Sequence, residues 1–434
     1  MAIGVTMLYK KPPTMSNPSY RWYIVAASFG ILFFTTGTRF SFGVMFKPMI
    51  AEFGWNRGSL SLAFFLNMTI FALSLTVVGR FYDRYGPRWV IVISSLFFSA
   101  GYIAVSCISS LWQFYICYGI IAAIGLGGTS VSLMAAITSK WFQKWRGLAI
   151  SVALSGSCLG EFALIPLFTI LAARYGWRLS YLYMGLITLG VNVSLALFVM
   201  KPDPIGLENE SPHAQQKLTA HPSESETPPG TKHHDLNLGE AMQTRSFWLF
   251  LLVMFVCGSG DFLVTTHLIP CATDYGISAI TAGNMLAWSG LLSLAGILIA
   301  GPASDLVGNK IPVALTFALR FLLFLLILKY RNILSFYIFS LMFGFTFLIT
   351  APIATTLIGR LYGLSHVGLI SGFITTIHHL GGGFWAYMGG LLFDKTGSYQ
   401  LAFIISAVMA LGAVCSALFI TENSYQTGYG QLQE

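Results

Sequence analysis

The sequence predicts an all-α membrane protein in which twelve transmembrane helices form two pseudo-symmetric six-helix bundles. The first of three supporting observations is composition: the 434-residue chain is 55% hydrophobic and only 9% charged, whereas soluble domains carry about 25% charged residues. The second is a series of apolar stretches, each near the roughly 20 residues that a helix needs to cross a bilayer. Helices are required because lipid offers backbone groups no hydrogen-bonding partner. Twelve stretches begin near residues 22, 59, 89, 111, 147, 178, 246, 280, 311, 332, 367 and 398.

The third observation is a pattern that occurs twice, each time at the junction of two apolar stretches. Residues 79–88 read GRFYDRYGPR and residues 301–310 read GPASDLVGNK. Asp83 and Asp305 hold the same place in the two copies and lie 222 residues apart. Further glycines, prolines and acidic residues match at the same offset. The repeat indicates duplicated halves, an organisation in which many secondary transporters bind substrate between the halves.

The charge distribution predicts the orientation of the chain. With both termini on the same side, 15 of the 24 Lys and Arg residues fall in loops and tails on that side, and 7 fall on the opposite side. Because cytoplasmic loops carry the excess of basic residues, we expect both termini in the cytosol and the protein in the cytoplasmic (inner) membrane. The net charge of +8 then reflects topology, and no nucleic-acid partner is expected. The residues before Tyr20 lack an apolar segment, so the first stretch is interpreted as a span and not as a cleaved signal.

Composition along the chain predicts five segments. The linker is rich in Pro, Ser, Glu and His and lacks apolar periodicity. The predicted boundaries are 1–21 for a cytosolic tail, 22–200 for the N-terminal bundle, 201–245 for a cytosolic linker, 246–422 for the C-terminal bundle and 423–434 for a second tail.

Several enzyme and metal signatures are missing from the sequence. His233 and His234 lie in the polar linker and are interpreted as solvated residues. The six cysteines lack metal-ligand spacing, so free buried thiols are expected. No nucleophile–base set or phosphate-binding glycine loop is present. We therefore expect no metal, no cofactor and no enzymatic activity.

Several motifs in the sequence carry a resemblance to a known family. Residues 79–88 resemble the cytosolic loop signature of the major facilitator superfamily. Other segments resemble its bacterial monocarboxylate-transporter-like branch, and these are residues 39–44 with Lys47-Pro48, residues 141–142 with 146–149, residues 266–268, and residues 390–394 with 396–399. The resemblance covers nearly all of both halves. It implies two bundles that rock about a midplane site, with the first and seventh helices facing each other across the cavity.

The repeated loop is the first candidate functional element. Asp83 follows a helix and is flanked by Arg84 and Arg88, so it can cap or pair with a neighbouring helix on the cytosolic side. We expect this cluster to act as a gate that holds the inner side closed in one state. A plain positive-inside loop explains the arginines but not the Gly-x-x-x-Asp-x-x-Gly spacing. Asp305 is expected to be a weaker gate residue, because Leu306 replaces the first arginine.

Arg39 in the first helix and Asp261 in the seventh are the central candidates, since ionisable residues inside membrane helices are costly and often functional. The 222-residue offset places them at equivalent positions. We expect Arg39 to bind a substrate carboxylate and Asp261 to compete for it. Protonation of Asp261 then frees Arg39 and couples proton to substrate. The alternative is a static ion pair that packs the halves together.

Glu161 in the fifth helix and His267 in the seventh are further candidates. Glu161 follows Gly156 and Gly160, whose spacing allows close helix approach, and is either a second proton-coupling site or a satisfied structural carboxylate. His267 lies near the outer end of its helix, where a gating contact and a simple interfacial histidine are both open.

The remaining candidates are aromatic, imidazole and guanidinium groups within helices. His378 and His379 are neighbours in the eleventh helix, so their side chains point about 100° apart and at most one faces the cavity squarely. One of them is expected to bind substrate, although a structural histidine is an alternative. Tyr118 in the fourth helix is expected to line the cavity. Arg320 lies in the peripheral ninth helix of the superfamily fold, which favours a structural or snorkelling role.

These residues favour a secondary active transporter that moves a small organic anion, with a monocarboxylate preferred, together with protons by alternating access. The eighth helix carries no charge between Ala282 and Pro302, whereas the resemblance implies an arginine there. An anion exchanger of the oxalate–formate type therefore stays open, as does a carrier of an uncharged or cationic compound; a membrane enzyme or receptor is not favoured. The expected partners are the anion, protons and the lipid bilayer, and the expected functional unit is a monomer.

Overall fold

The computed structural model of the chain describes residues 20–142, 145–202, 236–363 and 366–421. Within these ranges, nine helical segments are long and apolar enough to cross a membrane. Two of the nine bend at a glycine with positive φ, Gly86 (φ 73°) and Gly176 (φ 80°), and each of these crosses twice. Helix Val367–Thr396 adds one more. The prediction of twelve transmembrane helices is confirmed for the described residues.

We number the crossings as spans 1 to 12. Span 1 is Tyr20–Phe53, spans 2 and 3 are the two arms of Arg57–Val105, span 4 is Leu111–Trp141, spans 5 and 6 are the arms of Arg146–Val199, span 7 is Arg245–Asp274, span 8 is Ala279–Val307, span 9 is Lys310–Lys329, span 10 is Ile333–Tyr362, span 11 is Val367–Thr396 and span 12 is Gln400–Phe419. A short helix, Leu238–Ala241, precedes span 7.

The predicted tails, apart from Tyr20 and Arg21 at the start of span 1, and most of the predicted linker lie outside the described residues. This applies to His233 and His234 as well. The five-segment division therefore stays a prediction.

Three spans are interrupted near the middle of the bundle. Span 1 consists of helices Tyr20–Phe40 and Phe42–Phe53, and at the break the Ser41 hydroxyl donates to the Gly37 carbonyl over 2.8 Å. Span 4 contains a π-helical segment, Tyr115–Ala122, followed by helices Ala123–Gly127 and Val131–Trp141. Span 10 consists of Ile333–Phe347 and Thr350–Tyr362. Interrupted helices expose backbone and side-chain polar groups to the interior of a bundle.

Glycines allow the helices within each half to approach closely. A Cβ atom at Gly160 would lie 2.1 Å from the Phe33 carbonyl oxygen, and one at Gly156 would lie 2.3 Å from that of Phe29. In the second half, a Cβ atom at Gly258 would lie 1.9 Å from the carbonyl oxygen of His378. The close approach predicted for the span 5 glycines is confirmed.

The two halves meet mainly where span 11 packs along span 2 and span 8 along span 5, and the second helix of span 1 also packs against span 7. We call the face that contains the turns at residues 54–56, 106–110, 275–278, 330–332 and 397–399 the outer face, following the orientation predicted from charge. The opposite face is the inner face. This packing leaves spans 1, 4, 7 and 10 around the centre, where the interrupted helices lie.

Candidate functional site

A cavity of about 80 Å³ lies beside the break in span 1, several times the roughly 10–15 Å³ that one water molecule requires. Its polar lining comes from hydroxyl groups of spans 1 and 4, from one arginine and from one histidine. The lining residues are Thr35, Thr36, Arg39, Phe71, Leu75, Leu126, Thr129, Ser130, Val131, Ser132 and His379. The cavity therefore combines a single cationic side chain with hydroxyl donors and an apolar wall.

Arg39 carries the positive charge of this cavity. Its Cζ atom lies 4.9 Å from the Phe71 ring centroid, 5.4 Å from that of Phe262 and 5.5 Å from that of Phe40. Its Nη2 lies 2.9 Å from the Met68 sulfur, and its Nε has no hydrogen-bond partner. Among the described residues no carboxylate forms an ion pair with Arg39. Aromatic faces stabilise a guanidinium only in part, so this cation lacks a counter-ion.

Asp261 is paired within its own half. Arg320 Nη2 lies 2.7 Å from its Oδ1, and the two side chains are 1% and 3% exposed. Arg320 also donates from Nε to the Thr346 hydroxyl over 3.0 Å and from Nη1 to the Cys257 carbonyl over 3.3 Å. Spans 7, 9 and 10 are thereby joined by one buried ionic group.

One expectation about this charge pair is corrected. Asp261 does not pair with Arg39 in this structure, because the guanidinium of Arg320 already neutralises it and the ring of Phe262 packs against Arg39. Of the two roles expected for Arg320, structural or snorkelling, its contacts fit the structural one, because the side chain is 1% exposed and its donors point into the half. Arg39 and Asp261 lie in spans 1 and 7, as predicted, but they are not partners.

The structure places the two adjacent histidines differently. His379 lines the cavity and packs edge-on against Phe71, with ring centroids 4.9 Å apart. His378 points toward Asp261, with 3.9 Å between Nε2 and Oδ2. Tyr118 is 1% exposed, stacks on Phe42 at 5.0 Å and has an unpartnered hydroxyl, outside the set of residues that lines the cavity. The substrate-binding role of all three stays a prediction.

Cys257, Asp261 and His378 are the described residues with metal-ligating atoms close together, within 4.8 Å of one another. A divalent cation at this point would face the Arg320 guanidinium, which lies 2.7 Å from Asp261 and 3.7 Å from the Cys257 sulfur. Because like charges repel strongly in a low-dielectric interior, the group is better suited to hold the arginine than a metal.

Glu161 lies where span 5 packs against span 8. The residue is 4% exposed, and a Cβ atom at Gly290 would lie 2.8 Å from both its Cβ and its Cγ. The described residues provide its carboxylate with no hydrogen bond or ion pair. Its neighbour one turn earlier, Cys158, accepts from Ser293 of span 8 at 3.3 Å. The carboxylate is thus buried at the contact between the halves without a counter-ion.

A charged cluster that sequence reasoning missed joins the halves at the outer face. Arg57 at the start of span 2 donates from Nη1 and Nη2 to the two carboxylate oxygens of Asp274, over 2.7 and 2.8 Å. Lys47 of span 1 lies 2.6 Å from the same carboxylate. We call Lys47, Arg57, Asp274, Asp394 and Tyr399 the outer gate. The sequence feature that could have indicated this cluster is the presence of oppositely charged residues near the outer turns of the two halves.

The other contacts of the outer gate involve the start of span 2. Asp394 of span 11 accepts from the backbone amides of Arg57 and Gly58, over 3.0 and 2.7 Å. Arg57 also donates to the Tyr399 hydroxyl over 2.9 Å and stacks on the Phe393 ring at 3.6 Å. His267 is buried directly beneath, within 2.9 Å of the same hydroxyl. The outer face is closed by direct contact between the halves.

The predicted inner gate residues are exposed or paired within their own half. Asp83 and Asp305 are exposed and form no ion pair within the described part of the chain. Arg84 lies over the Tyr85 ring at 5.3 Å, and Arg88 donates to the Met200 carbonyl over 3.0 Å. The gating role of these four residues stays a prediction.

Sequence comparisons relate the whole chain to transporters. The profile of the Major Facilitator Superfamily matches residues 28–270 and 250–429. An uncharacterized MFS-type transporter, YcxA of Bacillus subtilis, is 24% identical, with 92% of this chain and 95% of the relative covered. Monocarboxylate transporter 13 of Bos taurus is 23% identical, with coverage of 96% and 92%. The oxalate:formate antiporter of Oxalobacter formigenes is 24% identical over 60% of this chain and 57% of the relative.

Solved structures share the fold at low sequence identity. A bacterial homolog of the human lysosomal transporter Spinster, in an inward-facing and occupied conformation, superimposes with a TM-score of 0.69 at 14% identity and covers 95% of this chain and 97% of that one. The nucleoside transporter NupG superimposes with a TM-score of 0.73 at 13% identity, with coverage of 92% and 99%. The two-bundle arrangement is therefore a known transporter fold.

Proposed function

Because the chain belongs to the major facilitator superfamily, we propose that it is a secondary active transporter that moves a small organic anion, with a monocarboxylate preferred, by alternating access. The family and its named members are transporters, so the chain is a transporter and not an enzyme. The anionic substrate, the coupling and the mechanism are the proposal. Two relatives support it, since one is named a monocarboxylate transporter and another an oxalate:formate antiporter.

The observation that carries the proposal is the cation of Arg39 in the central cavity. Burying a charge is costly unless an opposite charge is close, and the described residues offer Arg39 aromatic rings and a thioether instead of a carboxylate. A bound carboxylate supplies the missing counter-ion through paired charge-assisted hydrogen bonds. His379 and the hydroxyl groups of spans 1 and 4 then contact the rest of the substrate.

The closed outer gate supports alternating access. Arg57, Lys47 and Asp274 join the halves at the outer face and block access from that side, so in the proposed cycle this state admits substrate to Arg39 from the inner side. Opening the outer gate and closing the inner face by rotation of one half against the other would present Arg39 to the opposite side. We propose cytosolic termini and an inner-membrane location on the charge distribution. A monomer suffices for this cycle.

Glu161 is the proposed proton-coupling residue. An ionised carboxylate without a counter-ion in a protein interior costs several kcal/mol, whereas the protonated form does not carry this cost. Rotation of the halves separates span 5 from span 8 and exposes the Glu161 carboxylate to water. A proton bound in one state can then be released in the other, together with the anion.

The decisive experiment measures uptake of radiolabelled monocarboxylates into proteoliposomes that contain the purified protein. Arg39→Gln is expected to abolish saturable uptake and the thermal stabilisation of the protein by the transported acid. The matched control is Arg174→Gln, which removes an exposed arginine at the outer end of span 5 and should leave both unchanged. Uptake that survives in Arg39→Gln, or selective uptake of neutral or cationic compounds, contradicts the anion proposal.

An anion exchanger is the second candidate. It is favoured by the Asp261–Arg320 pair, which leaves the charge of Arg39 available without any proton binding to Asp261. Uptake driven by an imposed pH gradient into empty vesicles, lost in Glu161→Gln, supports proton coupling. Uptake that requires internal anion and ignores the pH gradient identifies exchange.

A further inference from the structure

His267 of span 7 is enclosed beneath the outer gate and contacts four other segments. Its Nδ1 lies 2.9 Å from the Tyr399 hydroxyl, and its Nε2 lies 2.7 Å from the Ala386 carbonyl oxygen. The Ser61 hydroxyl lies 3.4 Å from the same Nε2, and the Phe46 ring packs edge-on at 5.3 Å. The imidazole is 1% exposed and touches both halves of the molecule.

The directions of the hydrogen bonds define which nitrogen carries the proton. A carbonyl oxygen only accepts, so Nε2 carries a proton and donates it to Ala386. Arg57 donates to the Tyr399 hydroxyl oxygen over 2.9 Å, and the hydroxyl proton is therefore free to be donated to Nδ1. A buried imidazole beside the Arg57 guanidinium is more stable neutral than charged, so we assign Nδ1 as the acceptor of the Tyr399 proton and the imidazole of the closed gate as neutral.

The charged groups around His267 are balanced in this state. Arg57 is the nearest, since it shares the Tyr399 hydroxyl with the imidazole. Lys47 and Asp274 follow on the far side of Arg57, and Asp394 holds the amide of Arg57. Ser61 and, one turn along span 7, Cys271 are uncharged. Two cations therefore face two carboxylates.

A second proton on His267 disturbs both the charge balance and the hydrogen bonds. It adds a third cation, buried on the imidazole, beside a partly exposed cluster that holds two cations and two carboxylates. It also converts Nδ1 from an acceptor into a donor, so the hydroxyl proton of Tyr399 loses its acceptor. Each effect destabilises the closed outer gate. An open gate exposes the imidazole to water, which solvates the imidazolium.

We propose that His267 is a proton-binding site that controls the outer gate. A proton from the outer solution binds Nδ1 and favours the open gate, and its return to the outer solution allows the gate to close. Acidity outside the membrane therefore increases the outward-open fraction. This inference rests on the proposed alternating access but not on the substrate, and the proton involved is separate from the one assigned to Glu161.

The test measures the distance between spin labels on the outer face of the full-length protein in lipid nanodiscs without substrate. Labels are placed at Ala51→Cys in span 1 and Lys395→Cys in span 11, both exposed, after the exposed Cys107 and Cys415 are changed to serine. The population with long distances should increase as the pH falls from about 8 to about 5, where histidine changes its charge.

His267→Gln should lose this increase, because a glutamine amide donates to Ala386 and accepts from Tyr399 without titrating. His366→Gln, a matched change of an exposed histidine at the inner end of span 11, should retain the increase. Acid-induced opening that is unchanged in His267→Gln overturns the proposal and points to Asp274 or Asp394. A wild type that does not open in acid also overturns it.

A second variant covers the case in which His267→Gln does not fold. Tyr399→Phe removes the hydroxyl that distinguishes the two imidazole states, and it should weaken the acid response and raise the long-distance population at pH 8. An unchanged pH response contradicts the inference. The distance change is independent of uptake, so a normal acid response without anion transport refutes the proposed function alone, and proton-driven uptake without an acid response refutes this inference alone.

Discussion

The two halves hold opposite charges at equivalent positions and neutralise them in different ways. Asp261 in the C-terminal half is paired with Arg320 of the same half, at 2.7 Å and almost fully buried. Arg39 in the N-terminal half faces a cavity with aromatic rings and a thioether around it. The two charged residues match at the 222-residue offset of the repeat, but only Asp261 has a counter-ion within its own half. The unpartnered half is therefore the one in which the proposed anion would supply the missing counter-ion.

The largest effect is expected from removing the partner that the C-terminal half supplies. Arg320→Leu leaves Asp261 buried without a counter-ion, and loss of one member of a buried pair costs about 3–5 kcal/mol. Thermal unfolding in detergent should show a strongly lowered Tm. The matched control is the double variant Arg320→Leu with Asp261→Leu, which should recover much of the stability. Equal losses in the single and the double variant contradict a mutual pairing.

Glycine contacts provide a comparison in which the halves should behave alike. Gly160→Ala places a methyl group against the Phe33 carbonyl, and Gly258→Ala places one against that of His378. Overpacking of this kind costs about 1–3 kcal/mol, so both variants should lower Tm. Gly412→Ala, where a Cβ atom meets no other atom within 4 Å, is the control and should not. A loss in only one half means that the other half relaxes around the added methyl group.

Helix capping distinguishes the halves by a smaller amount. Ser278 accepts from the Thr281 amide over 3.1 Å at the start of span 8. Asn56, 222 residues earlier, makes no such bond because Asp394 of the other half binds the first amides of span 2. Ser278→Ala should cost about 1 kcal/mol, and Asn56→Ala should cost less. Equal losses in chemical denaturation contradict this assignment.

The smallest effect on stability is expected at Arg39. Since no carboxylate among the described residues pairs with it, Arg39→Leu leaves no charge unpaired and replaces a partly buried cation by an apolar group. Its Tm in the absence of substrate should match or exceed that of the wild type, in contrast with Arg320→Leu. A large loss of stability would show that Arg39 holds the N-terminal half together and would weaken the proposed binding role.

Much of the fold was predictable from the sequence, because membrane crossing imposes a length and an apolar composition on each helix. The repeat also placed Arg39 and Asp261 at equivalent positions. Partners were not predictable in the same way. Whether Arg320 points to lipid or into its half depends on the rotation of span 9 about its axis, and the apolar sequence around it does not specify that rotation.

The outer gate was missed for a related reason. Arg57 and Asp274 are 217 residues apart in the chain, and helical periodicity carries no information on how two bundles dock. Each residue alone is typical of a charged turn at the membrane surface. The repeat even matches Asp274 with Glu52, which pairs with Arg178 in its own half, so symmetry indicated an internal partner.

Asp394 bound to the amides of Arg57 and Gly58 has a consequence for the speed of the transport cycle. If the halves part at this point in the proposed cycle, the two amides at the start of span 2 become exposed at the outer face, where bulk water replaces the carboxylate. The rupture therefore exchanges one set of hydrogen bonds for another of similar strength. Hydrogen bonds of this kind stabilise the closed gate and still present only a low kinetic barrier to opening. The buried Asp261–Arg320 pair has no water nearby to replace its contacts, so breaking it would present a higher barrier.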